Sequence, residues 1–145
     1  MRVHMILGLI ASTFFSLSVS AQKTSITAAE LPANAQTFLK KHFPNETPSS
    51  IIKEKEVFST EYKVQFSNAT EIEFDGKGNW EEIDGNHTAI PASTIPAKIA
   101  AYVKANYKDA SVTKIDKSRW GYEVNLSNNL ELEFDSNEKF LRIDY

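Results

Sequence analysis

Hydrophobic positions after residue 28 follow two different spacings, and the spacing changes at the same relative point in each half of the chain. Ala35, Phe38 and Leu39 recur at three- and four-residue intervals, which indicates a helix with one apolar side. Pro32 stands where a helix tolerates proline, in its first turn. Further on, the apolar residues Tyr62, Val64, Phe66, Ile72 and Phe74 alternate with polar ones. That alternation predicts antiparallel strands with one buried face.

The same series occurs twice. Residues 62–68 and 71–75 match 122–128 and 131–135 at an offset of 60, and Leu31-Pro32-Ala33 matches Ile95-Pro96-Ala97 at an offset of 64. The difference in offset falls in a loop marked by Pro44 and Pro48, as expected for a true structural repeat. Shorter strands are predicted at 51–57, 80–84, 112–116 and 140–144. The fold class is therefore α+β, a tandem repeat of a helix plus a four-stranded antiparallel sheet, with repeats at about 28–84 and 92–145.

Strand register follows from the requirement that facing residues share a face of the sheet. A three-residue turn at 67–69 sets Val64 opposite Ile72 and Lys63 opposite Glu73. A four-residue turn at 76–79 sets Ile72 opposite Ile83, Glu73 opposite Glu82 and Asp75 opposite Trp80. In the second copy, Leu132 is predicted to face Ile143, Glu133 to face Arg142 and Phe134 to face Leu141. A repeat of about 60 residues buries little surface alone, so we expect the two to pack together or to share one sheet.

This register predicts a polar sheet face on the side away from the helices. One interpretation is a protein-binding surface with Trp80 and Phe140 as aromatic anchors. Its charged contacts would come from Glu71, Glu73, Glu131, Glu133 and Arg142. The other interpretation is a solvated face, in which each of the rows Lys63–Glu73–Glu82 and Glu123–Glu133–Arg142 offsets two carboxylates with one cation.

Composition and the N-terminus indicate the compartment. The 145 residues include no cysteine and carry a formal net charge of −3, which excludes disulfides and thiol chemistry and argues against a nucleic-acid partner. Residues 1–21 read as a signal peptide: an apolar stretch from Ile6 to Val19 ends at Val19-Ser20-Ala21. The remainder, 22–145, is predicted to be a single domain, periplasmic or secreted, without membrane insertion after cleavage.

The ordered motifs resemble a known family. The set comprises a Leu-Pro or Ile-Pro helix start, a Tyr-x-Val strand, a Glu-x-Phe-Asp strand and an Ile-Asp end, and it occurs twice between Ala28 and Tyr145. It is similar to the small periplasmic PepSY-like family, also described as β-lactamase-inhibitor-protein-like. The resemblance implies the helix-plus-four-strand repeat and a binding or inhibitory module that uses the sheet face away from its helices. It supplies no catalytic residues.

Enzymatic and metal chemistry find little support in the sequence. His42 and His87 are the histidines after the leader, and neither lies near a Gly-flanked serine or an HExxH motif. We therefore predict no catalytic residues, no metal site and no cofactor. The segment 75–79, Asp-Gly-Lys-Gly-Asn, places oxygen atoms around a turn, but it lacks the acidic series of a calcium loop.

The function predicted is a non-enzymatic binding module for another envelope or secreted protein, acting through the open face by interaction or inhibition. The alternative is a periplasmic carrier of a small ligand or calcium on the acidic face, and a third possibility is an inert spacer. The oligomeric state stays open.

Overall fold

The computed structural model describes residues 21–145 as one nine-stranded antiparallel sheet with two helices. The helices are α1 (Ala33–His42) and α2 (Ala97–Asn106), each preceded by a short 3-10 turn. The strands are β1 (Gln22–Ser25), β2 (Pro48–Lys55), β3 (Thr60–Phe66), β4 (Glu71–Phe74), β5 (Trp80–Asp84), β6 (Val112–Ser118), β7 (Gly121–Leu126), β8 (Glu131–Asp135) and β9 (Phe140–Asp144). Their order in the sheet is their order in the chain. The predicted signal peptide, except for Ala21, lies outside the described residues.

Each helix begins directly after the proline identified in the sequence and packs on strands of its own repeat. The ring of Phe38 on α1 meets Phe74 on β4 edge-on, with centroids 5.7 Å apart. On α2, Tyr102 meets Phe134 on β8 in the same way at 5.5 Å. Edge-to-face pairs of this kind add to the stabilisation from buried area, so the repeated aromatic positions fix each helix over its strands.

The two repeats share a single sheet because β5 pairs with β6. The junction consists of Glu82 opposite Asp116, Ile83 opposite Ile115 and Asp84 opposite Lys114. Ile83 and Ile115 are fully buried, and the hydrophobic core runs without a break from one repeat to the other. The expectation that the repeats pack together is confirmed, and they do so through backbone pairing as well as through the core.

Most of the predicted register is confirmed. Lys63 faces Glu73, Val64 faces Ile72 and Ile72 faces Ile83. In the second repeat Glu133 faces Arg142 and Leu132 faces Ile143. The residues that face the helices are the fully buried ones, among them Ile72, Phe74 and Leu132. Because side chains alternate along a strand, their neighbours point to the opposite, open face.

The structure differs from the expected strands in three places. β2 spans Pro48–Lys55 rather than 51–57, and β6 continues beyond 116 to Ser118. The sheet also contains β1, which pairs with β2 from Gln22 opposite Lys55 to Ser25 opposite Ile52. This strand has the sequence Gln-Lys-Thr-Ser and is exposed throughout, so it has no hydrophobic alternation by which to predict it.

No helix within residues 21–145 is both long enough and apolar enough to span a membrane.

Candidate functional site: the open face of the sheet

A row of paired residues crosses the open face from β1 to β9. In strand order it contains Ser25, Ile52, Lys63, Glu73, Glu82, Asp116, Glu123, Glu133 and Arg142. The five adjacent carboxylates, Glu73, Glu82, Asp116, Glu123 and Glu133, are called the acidic row below. Like charges directly opposite in a sheet are destabilising, by a few tenths to about 1 kcal/mol for each facing pair. The fold thus retains an arrangement that works against its own stability.

The neighbouring row on the same face is also acidic. It contains Gln65, Glu71, Asp84, Lys114, Asn125, Glu131 and Asp144. Together the rows hold nine carboxylates against three cations, Lys63, Lys114 and Arg142. The whole chain has a formal net charge of only −3, so negative charge is concentrated on this face.

The three cations are engaged by carboxylates of the face. Lys63 Nζ lies 2.8 Å from Glu73 and 3.1 Å from Glu71, and hydrogen bonding to Glu73 raises the pKa of Lys63. Lys114 Nζ lies 3.3 Å from Glu82 and 3.7 Å from Asp116.

The Arg142 guanidinium is 2.8 Å from Glu133. Within residues 21–145, Glu123 is the member of the acidic row without an ion pair, and it is exposed. The offset of two carboxylates by one cation, predicted for each repeat, is therefore incomplete. Lys63 and Arg142 pair with Glu73 and Glu133, whereas Glu82 pairs with Lys114 of the neighbouring row.

Glu82 has the most perturbed carboxyl group of the face. Partial burial raises its pKa to about 7, and the hydrogen bond and negative charge of Asp116 act in the same direction. Lys114 lowers it, but not enough to cancel these effects. Near neutral pH Glu82 is therefore partly protonated, and a cation placed beside it would favour its ionised form.

An open concavity of about 650 Å³ lies over this centre. All five members of the acidic row line it, and Arg119, Trp120 and Leu141 form its border. Trp120 is 74% exposed and Leu141 54% exposed. The Arg119 guanidinium carbon lies 4.5 Å from the centroid of the Trp120 ring. Carboxylates beside an exposed aromatic ring are the groups that recognise lysine and arginine side chains, through ion pairs and cation–π contacts.

The predicted positions of Trp80 and Phe140 on the open face are wrong. The structure pairs Phe74 with Trp80 and Phe134 with Phe140, and both rings pack on the hydrophobic core. Phe140 stacks on Tyr102 of α2 with centroids 4.5 Å apart.

The reason is a β-bulge in each repeat. Glu81 and Leu141 are extra residues in β5 and β9, so Asp75 does not face Trp80 and Phe134 does not face Leu141. An extra residue reverses the side on which all residues beyond it point.

Trp120 lies in the turn between β6 and β7, although its spacing to Tyr122 and Val124 continues the alternation of a strand. The turn forms because Ser118 Oγ accepts a hydrogen bond from the Trp120 backbone N–H at 3.1 Å, while Ser118 pairs with Gly121. The Ser-Arg-Trp-Gly sequence is the signal from which this turn could have been predicted.

Asp116 is a member of the acidic row that sequence reasoning missed, because its position opposite Glu82 depends on the pairing of β5 with β6.

The remaining predicted contact residues lie together on the open face. Glu73 and Glu133 belong to the acidic row, whereas Glu71 and Glu131 lie in the neighbouring row. Arg142 ends the acidic row at β9. Their role in binding stays a prediction.

The aspartates that suggested a calcium loop are part of hairpin turns. Asp75 Oδ1 accepts hydrogen bonds from the backbone N–H groups of Lys77 and Asn79, each at 2.9 Å. Partial burial opposes the effect, but these bonds lower the pKa of Asp75, with that from Asn79 the strongest. Asp135 accepts the same pair of bonds in the second repeat. No group of three or more His, Cys, Asp or Glu residues within 21–145 is arranged to hold a metal ion.

The histidines lie away from the concavity. His42 Nδ1 is 2.8 Å from Ser93 Oγ, in the 3-10 turn before α2. Burial, with a smaller effect of Lys41, lowers the pKa of His42. His87 is an exposed residue of the connector between β5 and α2. Among the described residues no carboxylate is hydrogen-bonded to His42, so the pair does not form a Ser–His–Asp arrangement.

The family described as "Putative beta-lactamase-inhibitor-like, PepSY-like" matches residues 17–64 and 60–142. The chain belongs to the PepSY-like family. Among solved structures, a "putative calcium-regulated periplasmic protein" from Bacteroides thetaiotaomicron is 41% identical, with a TM-score of 0.81 over 85% of this chain and 97% of that one. A "putative periplasmic protein" of the DUF2874 family from Bacteroides vulgatus is 38% identical, with the same TM-score and coverage. No curated protein matches significantly.

These PepSY-like relatives agree with the predicted compartment, and the chain is accordingly a periplasmic protein. The family is not a known enzyme family.

Proposed function

We propose that this PepSY-like protein binds a lysine- or arginine-rich segment of another periplasmic protein on the open face of its sheet. The observation that carries the proposal is the acidic row, five facing carboxylates on five adjacent strands beneath one concavity. A basic partner would relieve the repulsion that the fold otherwise retains. The module is non-enzymatic, and inhibition of the protein that it binds is one form that this binding can take.

The geometry of the concavity suggests how a basic segment would lie. A lysine or arginine side chain placed over Glu123 would meet the one carboxylate of the row that lacks an ion pair among the described residues. Trp120 and Leu141, at the border, supply apolar contact for the stem of that side chain. Two further contacts, to Glu73 and Glu133, would compete with Lys63 and Arg142.

A fluorescent lysine decapeptide provides a direct test. We expect it to bind the protein with an affinity that falls steeply with salt, because the contact is largely electrostatic. Glu123→Lys should weaken binding by about tenfold or more, since it places a cation within the acidic row, between Asp116 and Glu133. Asp109→Lys is the matched control: it makes the same charge change at an exposed position between α2 and β6. Equal losses in both variants would show only non-specific attraction and would contradict the proposal.

The natural partner can then be sought in envelope extract. The protein and its Glu123→Lys and Asp109→Lys variants are immobilised side by side. A basic protein retained by the native chain and by Asp109→Lys, but not by Glu123→Lys, would be the predicted partner.

Calcium carriage on the same face is the second candidate. It is favoured by the concentration of carboxylates and by the description of the 41% identical relative as calcium-regulated. Calcium that binds the folded state raises its melting temperature by mass action. A rise at millimolar calcium that disappears in Glu123→Gln would support this candidate, and an unchanged melting temperature would eliminate it.

A further inference from the structure

Two exposed aromatic side chains project from the same end of the sheet. All neighbouring strands are antiparallel, so the turns that follow β2, β4, β6 and β8 lie at one end. Phe58, which is 99% exposed, lies in the turn after β2, and Trp120 lies in the turn after β6. Four strand spacings separate the two hairpins, which is about 19 Å. We call this end, with residues 55–59, 75–79, 117–121 and 135–139, the tip end.

The composition of the two hairpin loops is not explained by turn formation. In the first, the backbone N–H of Glu56 bonds Ser59 at 2.9 Å, which leaves Val57 and Phe58 as the loop. In the second, Ser118 pairs with Gly121 and leaves Arg119 and Trp120. Two-residue hairpin loops favour Gly, Asn and Asp, whereas β-branched and aromatic residues are poor turn formers. Each repeat nevertheless places an aromatic residue second in its first hairpin loop.

Cations surround these two loops. Lys55, Lys77, Lys117, Arg119 and Lys139 all lie at the tip end, and none of them forms an ion pair within residues 21–145. On the open face, by contrast, all three cations of the two rows are paired.

The tip end also carries four carboxylates, so its formal net charge is +1. The carboxylates of Asp75 and Asp135 accept backbone hydrogen bonds of their own turns, and Glu138 accepts one from the Lys98 N–H at 3.4 Å. Among the described residues, the five cations without an ion pair therefore accompany one carboxylate, Glu56, that is engaged by neither a hydrogen bond nor an ion pair.

We propose that the tip end docks on an anionic membrane surface. Phe58 and Trp120 enter the interface between headgroups and acyl chains, where aromatic rings are preferred, and the five cations contact lipid phosphates. The first hairpin reaches beyond the second by two residue pairs, since Tyr62 pairs with Lys53 but Tyr122 with Lys117. The first hairpin therefore extends about 7 Å further than the second, and the two hairpins are about 19 Å apart. Both rings reach a flat surface when the sheet is tilted by the corresponding angle. Lipid is favoured over an acidic protein partner because the five cations are spread over four separate turns along the whole end of the sheet.

In this orientation the open face stands at an angle to the membrane. Its two rows carry nine carboxylates against three cations and would be repelled by anionic lipid, whereas the tip end carries a net charge of +1. The two proposed surfaces share Arg119 and Trp120 at the border of the concavity, but the membrane proposal does not depend on the acidic row.

Sedimentation with vesicles tests the proposal. The purified protein is mixed with vesicles of phosphatidylethanolamine and phosphatidylglycerol, and in parallel with vesicles of phosphatidylcholine alone. We expect sedimentation with the anionic vesicles that high salt reverses, and a blue shift of tryptophan fluorescence that is lost in Trp120→Ala, which retains Trp80. Phe58→Ala/Trp120→Ala should weaken it by about tenfold or more, because a single membrane-binding signal gives only marginal binding. Tyr145→Ala is the matched control, since it removes an exposed aromatic side chain that follows β9 at the opposite end.

Each result has a clear meaning. Failure of the native protein to sediment with anionic vesicles, or equal sedimentation of the double variant, would overturn the proposal. Capture of a protein from lipid-free extract by the native chain, but not by Phe58→Ala, would assign the tip end to a protein partner instead and would also overturn it. Glu123→Lys should sediment at least as well as the native protein, which separates this proposal from that for the open face.

Discussion

Glu82 and Asp116 face each other at the junction of the two repeats, where β5 pairs with β6 through three residue pairs. Two carboxylates therefore meet at the connection that makes one sheet out of two repeats. Lys114 lies within 3.7 Å of both, and Glu73 faces Glu82 from β4. The junction consequently holds a group whose charge state depends on pH.

Replacement of Glu82 by Gln should stabilise the protein at high pH and not at low pH. The pKa of Glu82 is about 7 in the folded protein against an ordinary value of 4.5, so folding favours the protonated form. Its carboxylate destabilises the fold fully above about pH 7, and the penalty disappears as the pH falls towards about 4.5. Because Glu82 is partly exposed, we expect a gain of only about 1 kcal/mol in the free energy of unfolding near pH 8. Urea denaturation of both proteins near pH 8 and near pH 4.5 measures this difference in the free energy of unfolding.

The control for this experiment is Glu123→Gln, which removes another carboxylate of the same row. A gain from Glu82→Gln that is equal at both pH values would show that its charge state is not involved.

Replacement of Gly78 by Ala should destabilise the first repeat. Gly78 has φ of +85°, and an added Cβ would lie 2.8 Å from both the backbone nitrogen of Ala35 and the Cβ of Pro32. Backbone strain at such a position costs about 1–3 kcal/mol, and the contact with α1 adds to it. Thermal melting would detect the loss. Lys77→Ala, an exposed change in the same turn, should have little effect, and comparable melting of the two variants would refute this account.

Replacement of Phe140 by Ala should reduce stability rather than binding. Its ring stacks on Tyr102 and meets Phe134 edge-on at 5.8 Å, so the truncation leaves a gap under α2. We expect a loss of about 2–4 kcal/mol in the free energy of unfolding. Trp120→Ala should change stability by no more than about 0.5 kcal/mol, because its side chain is exposed. A small loss for Phe140→Ala would mean that its predicted place on the open face was correct after all.

Replacement of Lys63 by Ala should destabilise the sheet in a manner that depends on salt. Glu71 and Glu73 lose the cation that both of them contact. The side chain of Lys63 is 45% exposed, so the loss should be about 1 kcal/mol or less and should shrink in about 1 M salt. Lys55→Ala serves as the control because Lys55 has no ion pair among the described residues. A loss for Lys63→Ala that salt leaves unchanged would point to packing instead of charge.

Hydrophobic spacing was sufficient to predict both helices and the pairing of β3 with β4, and the prolines marked where each helix begins. Val64 and Ile72 could be set opposite each other because a buried face tolerates only one register. The bulges at Glu81 and Leu141 escaped prediction, since the pattern Trp-Glu-Glu-Ile reads equally well with either side of Trp80 turned inwards. Because each bulge adds one residue to its strand, Trp80 and Phe140 lie on the side of the sheet that faces the helices.

The acidic row could be predicted only in halves. Lys63–Glu73–Glu82 and Glu123–Glu133–Arg142 follow from local turns, but their connection through Asp116 depends on the pairing of β5 with β6 across α2. Likewise, Glu138 at φ of 63° forms the same turn as Gly78, although the glycines that signal it are missing from the second repeat. Non-local pairing and tolerated backbone strain leave no periodic signal in a sequence.

The short strand β1 is the first strand of the sheet and covers one side of β2. It pairs with β2, whose Ile51 and Ile52 would otherwise belong to an unpaired edge of the sheet. Exposed edges with apolar residues invite strands of other molecules, and a polar strand with a lysine discourages them. Gln22 to Ser25, with Lys23 Nζ 3.4 Å from Glu54, therefore present a polar edge to strands of other molecules. Four residues without any hydrophobic pattern thus make this edge an unfavourable template for aggregation.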